Sequence, residues 1–132
     1  MLLQIDTSNG LAIYEQVVRQ LKFAVASGKL RPGELVPSVR ELSKQLAINP
    51  NTVSRAYRQL QDEEILQSLR GMGMQVKTGA EKRCRADRKK LISARLEAVL
   101  VEARNSGLLR DDVRKLVEKQ LTQFPEQEET KA

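Results

Sequence analysis

Apolar residues recur at helical spacing in five stretches of the chain, and two short strand-like runs separate the third stretch from the fourth. The first stretch predicts a helix over about Leu11 to Ser27, with Tyr14, Val17, Val18, Leu21, Ala24 and Val25 facing inward and Gly28 ending it. The second begins at Ser38, where Ser-x-x-Glu with Glu41 forms a capping box that satisfies two unpaired backbone donors. Val39, Leu42 and Leu46 share its inner face, and it stops near Ala47-Ile48. A third helix starts almost at once: Asn49 is an N-cap type, and Pro50 suits the first helical position, where its missing donor costs nothing. Val53, Ala56, Tyr57 and Leu60 form its inner face. Two short helices across so tight a turn make a helix-turn-helix that must pack on neighbours.

Leu66–Leu69 and Met74–Lys77 then read as strands joined by Arg70-Gly71-Met72-Gly73, whose glycines permit the positive φ angles of a tight loop. A helix-turn-helix followed by such a hairpin predicts a winged helix. At the other end, Leu2, Leu3 and Ile5 are a brief run that would pair with the wing or pack on a partner. Beyond the wing, a fourth helix to about Arg104 carries Ile92, Leu96, Val99, Leu100 and Ala103 before an Asn105-Ser106-Gly107 turn. A fifth starts near Leu109, has Asp111 and Asp112 in its first turn, and continues with Val113, Leu116, Val117, Leu121 and Phe124 as far as Pro125. The expected fold is therefore mainly α with a small β-hairpin: an N-terminal winged helix-turn-helix over 1–79, a two-helix C-terminal arm over 80–125, and a disordered polar tail over 126–132. Two amphipathic helices alone have too little area to close a core. A second copy is the expected cover, in a two-fold homodimer, with Ile92, Leu96, Val99, Leu100, Val113, Leu116, Val117 and Leu121 as the dimerisation seam.

The outer face of the third helix changes the picture from fold to chemistry. Asn51, Ser54, Arg55 and Arg58 project together at i, i+3, i+4 and i+7, opposite the apolar face. Arginine pairs with guanine, asparagine with adenine, and serine or threonine with bases or phosphate, so this face suits the major groove of double-stranded DNA. The bland alternative is the solvated face of an ordinary amphipathic helix. At the wing tip, Arg70 is placed for a minor groove or a phosphate.

Composition narrows the class further. The chain has 132 residues and a net charge of +6, which favours polyanionic partners, yet the charge divides as +3 over 1–79 and +3 over the rest and so marks no surface. There is no histidine, no glycine-rich phosphate loop and no clustered acidic metal-ligand pattern, so neither an enzyme nor a bound metal or cofactor is expected. Cys84 is the only cysteine, which rules out an intrachain disulfide and makes a reducing cytoplasm the expected location. Arg83 and Arg85 beside it would lower its pKa as in a redox sensor; otherwise it is an incidental thiol. Glu81 to Lys90 is the densest positive stretch, with six cations against two anions, and reads either as a phosphate contact flanking the site or as a solvated first turn of the fourth helix. No apolar run approaches the roughly 18 to 20 residues of a membrane helix, and the start of the chain has no signal pattern.

Across residues 11–77 the chain resembles the GntR family of bacterial transcription regulators. The resemblance rests on Ile13-Tyr14-Glu15-Gln16, on Ala26-Ser27-Gly28-Lys29-Leu30-Arg31-Pro32-Gly33 and on Pro37-Ser38-Val39-Arg40-Glu41-Leu42. It continues through Asn49-Pro50-Asn51-Thr52-Val53-Ser54-Arg55-Ala56-Tyr57 and the Arg70-Gly71-x-Gly73 wing. The short chain is most similar to the YtrA subfamily, whose members carry a short helical dimerisation arm. The resemblance implies DNA contacts at Arg40, Asn49, Asn51, Thr52, Ser54 and Arg55, with Arg70 and Gly71 in the wing; Ser38 of the same motif and Arg58 complete the candidate set. The chain departs from the family pattern at Glu64, where glycine is usual, at Leu69 and Met72, where the wing is usually more basic, and at Gln75, where an aromatic is common. These features together predict a homodimeric sequence-specific regulator, a repressor on an inverted-repeat operator, responding to an unidentified small-molecule effector. The alternative is a non-specific architectural DNA-binding protein, which would more often show apolar wedges or repeated basic residues.

Overall fold

The computed structural model describes residues 3–124 and 126. The elements in chain order are α1 (Ile13–Ala26), α2 (Val39–Leu46), α3 (Pro50–Asp62), β1 (Leu66–Leu69), β2 (Gly73–Val76), α4 (Ala80–Asn105) and α5 (Arg110–Thr122). The mainly helical fold with one small hairpin is as the pattern predicts. Leu2 and the expected polar tail lie outside the described residues, apart from Glu126, which is exposed.

Local chemistry sets the ends of the two central helices. Ser38 accepts a hydrogen bond from the Glu41 amide at 3.0 Å while Glu41 accepts one from the Ser38 amide at 3.2 Å, which starts α2. Ala47 ends that helix in the left-handed region at φ 54, and two residues later Asn49 caps α3 by accepting from the Asn51 amide at 2.8 Å. Helix α3 packs on both α1 and α2, burying Val53, Ala56, Tyr57 and Leu60 against Val17, Leu21, Val25 and Leu42.

The hairpin pairs Leu66 with Val76 and Leu69 with Gly73, so β2 begins one residue earlier than expected and Arg70, Gly71 and Met72 form the loop. Gly71 and Gly73 have φ of 77° and 107°, angles that only glycine adopts without strain. Ahead of β1, Glu64 has φ 64, which accounts for the usual glycine there in physical terms. The segment before α2 also joins the sheet: Leu35 bridges Gln75, and Val36 donates to the Met74 carbonyl at 2.9 Å.

The N-terminal run forms no strand within the described residues, which corrects the first of its two alternatives, pairing with the wing. Leu3 is instead buried in the core, and the segment is pinned to α1 by two glutamines. Buried Gln16 accepts from the Asp6 amide at 2.8 Å and donates to the Asp6 carbonyl at 2.7 Å, while Gln20 accepts from the Gln4 amide and donates back to its carbonyl. These side-chain amides take the place of strand partners for an isolated extended segment.

The chain divides into two compact units, one ending at Lys89 and the other starting at Lys90. The first compact unit thus runs past Gly79 to take in the first turns of α4, which pack with the winged helix. Ala80 and Cys84 are buried there, and Lys22 of α1 reaches Glu63 at 2.7 Å and Asp87 of α4 at 3.2 Å. Arg83 also donates to the Glu63 carbonyl. The second unit contains the rest of α4, a turn closed by Gly107 at φ 91, and α5, whose start is capped by Asp112 accepting from the Leu109 amide at 3.1 Å.

Candidate nucleic-acid interface

The candidate reading head is the solvent side of α3 and the start of α2. Asn51, Arg55 and Arg58 are exposed on α3, with Thr52 and Ser54 half-buried between them; Arg40 is exposed on α2. Ser38 and Asn49, both in the candidate set, commit side-chain oxygens to helix caps, so each has a structural task whatever else it touches. Tyr57 locks the two helices together by donating to the Pro37 carbonyl at 2.6 Å, one residue before the α2 cap. Burial, with the Glu41 charge adding to it, raises the Tyr57 pKa far above the usual value and keeps the phenol a neutral donor. The Arg55 guanidinium carbon stands 3.7 Å from the centroid of the Tyr14 ring on α1, a cation–π stack.

Arg70, Gly71 and Met72 are all exposed at the wing tip. At the wing's base, Lys77 pairs with Glu64, whose carboxyl is held below its ordinary pKa by that hydrogen bond. The basic stretch beyond is the opening of α4, with Lys82, Arg83, Arg88 and Lys89 exposed. Cys84 in its middle is fully buried, and burial pushes its thiol up to about 11, so the reactive-thiol reading is corrected: the loss of solvation outweighs the neighbouring cations.

In the second unit, Ile92, Leu96, Val99, Leu100, Leu116, Val117 and Leu121 are each 40–60% exposed, and Val113 is half-buried. Among the described residues of this unit, α5 buries no side chain and the apolar residues of α4 stay exposed, so the unit has no closed core of its own. At the elbow, Leu100, Leu108 and Val113 line an open apolar groove rimmed by Arg104, Arg110 and Arg114.

Pattern reasoning misses three contacts. Tyr14 reads as a core residue, with no signal that its ring faces Arg55. Lys22 reads as an ordinary helix cation, yet it is a buried hub joining three helices. The Tyr57 hydroxyl is invisible to a pattern that counts the ring as apolar. Among the described residues, no group of acidic, cysteine or histidine side chains is placed to hold a metal, and no helix is long and apolar enough to cross a membrane.

Comparison with known proteins places this geometry. The family described as bacterial regulatory proteins, gntR family, matches residues 13–76. The HTH-type transcriptional repressor YtrA of Bacillus subtilis (strain 168) is 36% identical over 107 residues, 81% of this chain and 82% of that protein. A solved GntR family transcriptional regulator from Listeria monocytogenes superposes with a TM-score of 0.67 at 30% identity, covering 87% of this chain and 98% of its own. YtrA from Sulfolobus acidocaldarius, a GntR-family transcription factor, superposes at 0.57 with 31% identity, covering 74% and 99%.

Proposed function

The chain belongs to the GntR family of bacterial transcription regulators, and from that premise we propose that it is a homodimeric repressor acting in the cytoplasm on an inverted-repeat operator. The observation that carries this reading is the exposed set Asn51, Arg55 and Arg58 on a helix that its own cap and Tyr57 hold rigidly against α2. Such a helix end enters a major groove, with Arg40 on the adjoining helix gripping phosphate and Arg70 of the wing reaching a flanking minor groove. Asn51 and Arg55 are the base readers, with Thr52, Ser54 and Arg58 beside them, Ser38 and Asn49 at the helix caps, and Gly71 giving the wing backbone a close approach.

The unclosed apolar faces of α4 and α5 support a second copy as their cover, since patches this extended mark an interface. A two-fold pair presents two reading heads to two half-sites, which is what an inverted repeat requires. An effector acts by shifting the arm and hence the half-site spacing. The test is selection of duplexes from a random library by the intact protein, then footprinting of the winner against random competitor. Two protected half-sites related by inversion are expected. Equal affinity for random duplex would overturn the reading in favour of an architectural binder.

A further inference from the structure

Arg55 stands out among the exposed cations of α3 because its guanidinium is already held, and held by a neutral ring. Its central carbon lies 3.7 Å from the Tyr14 centroid, and among the described residues no carboxylate comes within ion-pair distance of it. Tyr14 is itself fixed, since it sits in the first turn of α1 and packs against the buried core. Stacking occupies the flat face of a guanidinium and leaves its N–H groups, which lie in the plane, pointing outward.

We propose that Tyr14 is a positioning residue for base recognition: its ring orients the Arg55 fork toward the major groove before DNA arrives. The inference rests on the proposed reading of α3. Pairing with guanine O6 and N7 demands one in-plane orientation of the fork, whereas a phosphate accepts many. An unrestrained arginine loses rotamer freedom when it docks in the single orientation that reads a base; a stacked one has lost part of it beforehand. The stack therefore favours operator over random duplex more than it favours binding in general. Sequence pattern assigns Tyr14 no such role, because forty residues of chain, the whole of α2 among them, separate it from Arg55.

The experiment measures Kd for the library-selected operator, for each of its single-base variants and for a random duplex. Arg55→Ala is expected to lose preference at the base pairs it reads. Tyr14→Leu is expected to lose about 2- to 5-fold in the operator-to-random ratio at those same base pairs, the size of an exposed cation–π contact, with random-duplex affinity unchanged. Tyr14→Phe keeps the ring face and retains the preference. Combined with Arg55→Ala, Tyr14→Leu has no further effect on the ratio. If Arg55→Ala leaves every base preference intact, the reading of α3 fails and this inference with it. If Arg55→Ala loses preference while Tyr14→Leu does not, the inference alone is overturned, as it is if Tyr14→Leu weakens operator and random duplex equally. Should Tyr14→Leu fail to fold, phenylalanine rings of increasing fluorination at position 14 keep the packing while weakening the π face. A ratio that falls with fluorination supports the stack, and a flat one overturns it.

Discussion

Ala47 occupies the bend between the two helices of the reading head with φ 54, a region where an L side chain costs about 1 to 2 kcal/mol relative to a right-handed turn. It is exposed, so nothing but backbone geometry is at stake. Ala47→Gly is therefore expected to stabilise the fold by about 0.5–1 kcal/mol, after the extra flexibility of glycine in the unfolded chain is deducted, and thermal melting checks it. Titration gives a second expectation at this scale. Burial raises the Cys84 thiol from 9.0 to about 11, so the folded state holds a proton that the unfolded chain releases, and that contribution is present below pH 9 and lost between pH 9 and 11. For Lys22, burial opposes the charge, but the bonds to Glu63 and Asp87 prevail and raise its pKa above 10.5; its contribution is likewise lost only as the solution becomes more alkaline. Denaturant midpoints should thus fall as pH climbs above 9, and Cys84→Ala should flatten the first part of that decline. Stability that instead stays level to pH 11 would contradict the Cys84 assignment.

At the scale of elements, the wing and the paired helices divide the work of binding. Arg40 on α2 is expected to hold phosphate, so Arg40→Ala should weaken operator and random duplex alike by about 1 to 3 kcal/mol and reduce the salt slope by about one unit. The wing is less basic, with Leu69 and Met72 flanking Arg70 and Gly71. Arg70→Ala should accordingly cost less than Arg55→Ala and erase flanking minor-groove protection while the central footprint persists. A greater loss at Arg70 would show that the wing carries more of the affinity than its charge implies. Helix α4 serves both units: its first turns bury Ala80 and Cys84 under the winged helix, whereas from Lys90 onward Ile92, Leu96, Val99 and Leu100 are exposed among the described residues.

For the whole molecule, that change of partner along α4 defines where the chain can be cut or charged without harm to the reading head. Leu96→Lys combined with Val117→Lys places charge in the proposed seam, far along the chain from the winged-helix core. The variant is expected to sediment as a monomer with the melting of the first unit preserved, and to lose roughly 10² to 10⁴ in operator affinity because the second half-site no longer gains from effective concentration. Dimers that bind at parental affinity would remove the arm from the interface. A chain ending at Lys89 should fold, whereas one ending at Gly79 should not fold as well, since it lacks Cys84, Ala80 and the Asp87 partner of Lys22.

What the sequence by itself determined is local: the capping box at Ser38, the Asn49-Pro50 start of α3, the glycines of the wing, and the inner and outer faces of each helix. These depend on residues within a few positions of one another, so spacing and side-chain chemistry suffice to read them. What only the tertiary structure decided depends on which surfaces meet. Gln16 and Gln20 bind a segment for which the pattern left open a strand beside the wing or a contact with a partner, Cys84 proves to be a core residue, Lys22 becomes a buried hub, and Tyr14 lies against Arg55. Each of these joins elements distant in the chain, and a hydrophobicity pattern records which face of a helix is apolar but carries no address for the surface that will cover it.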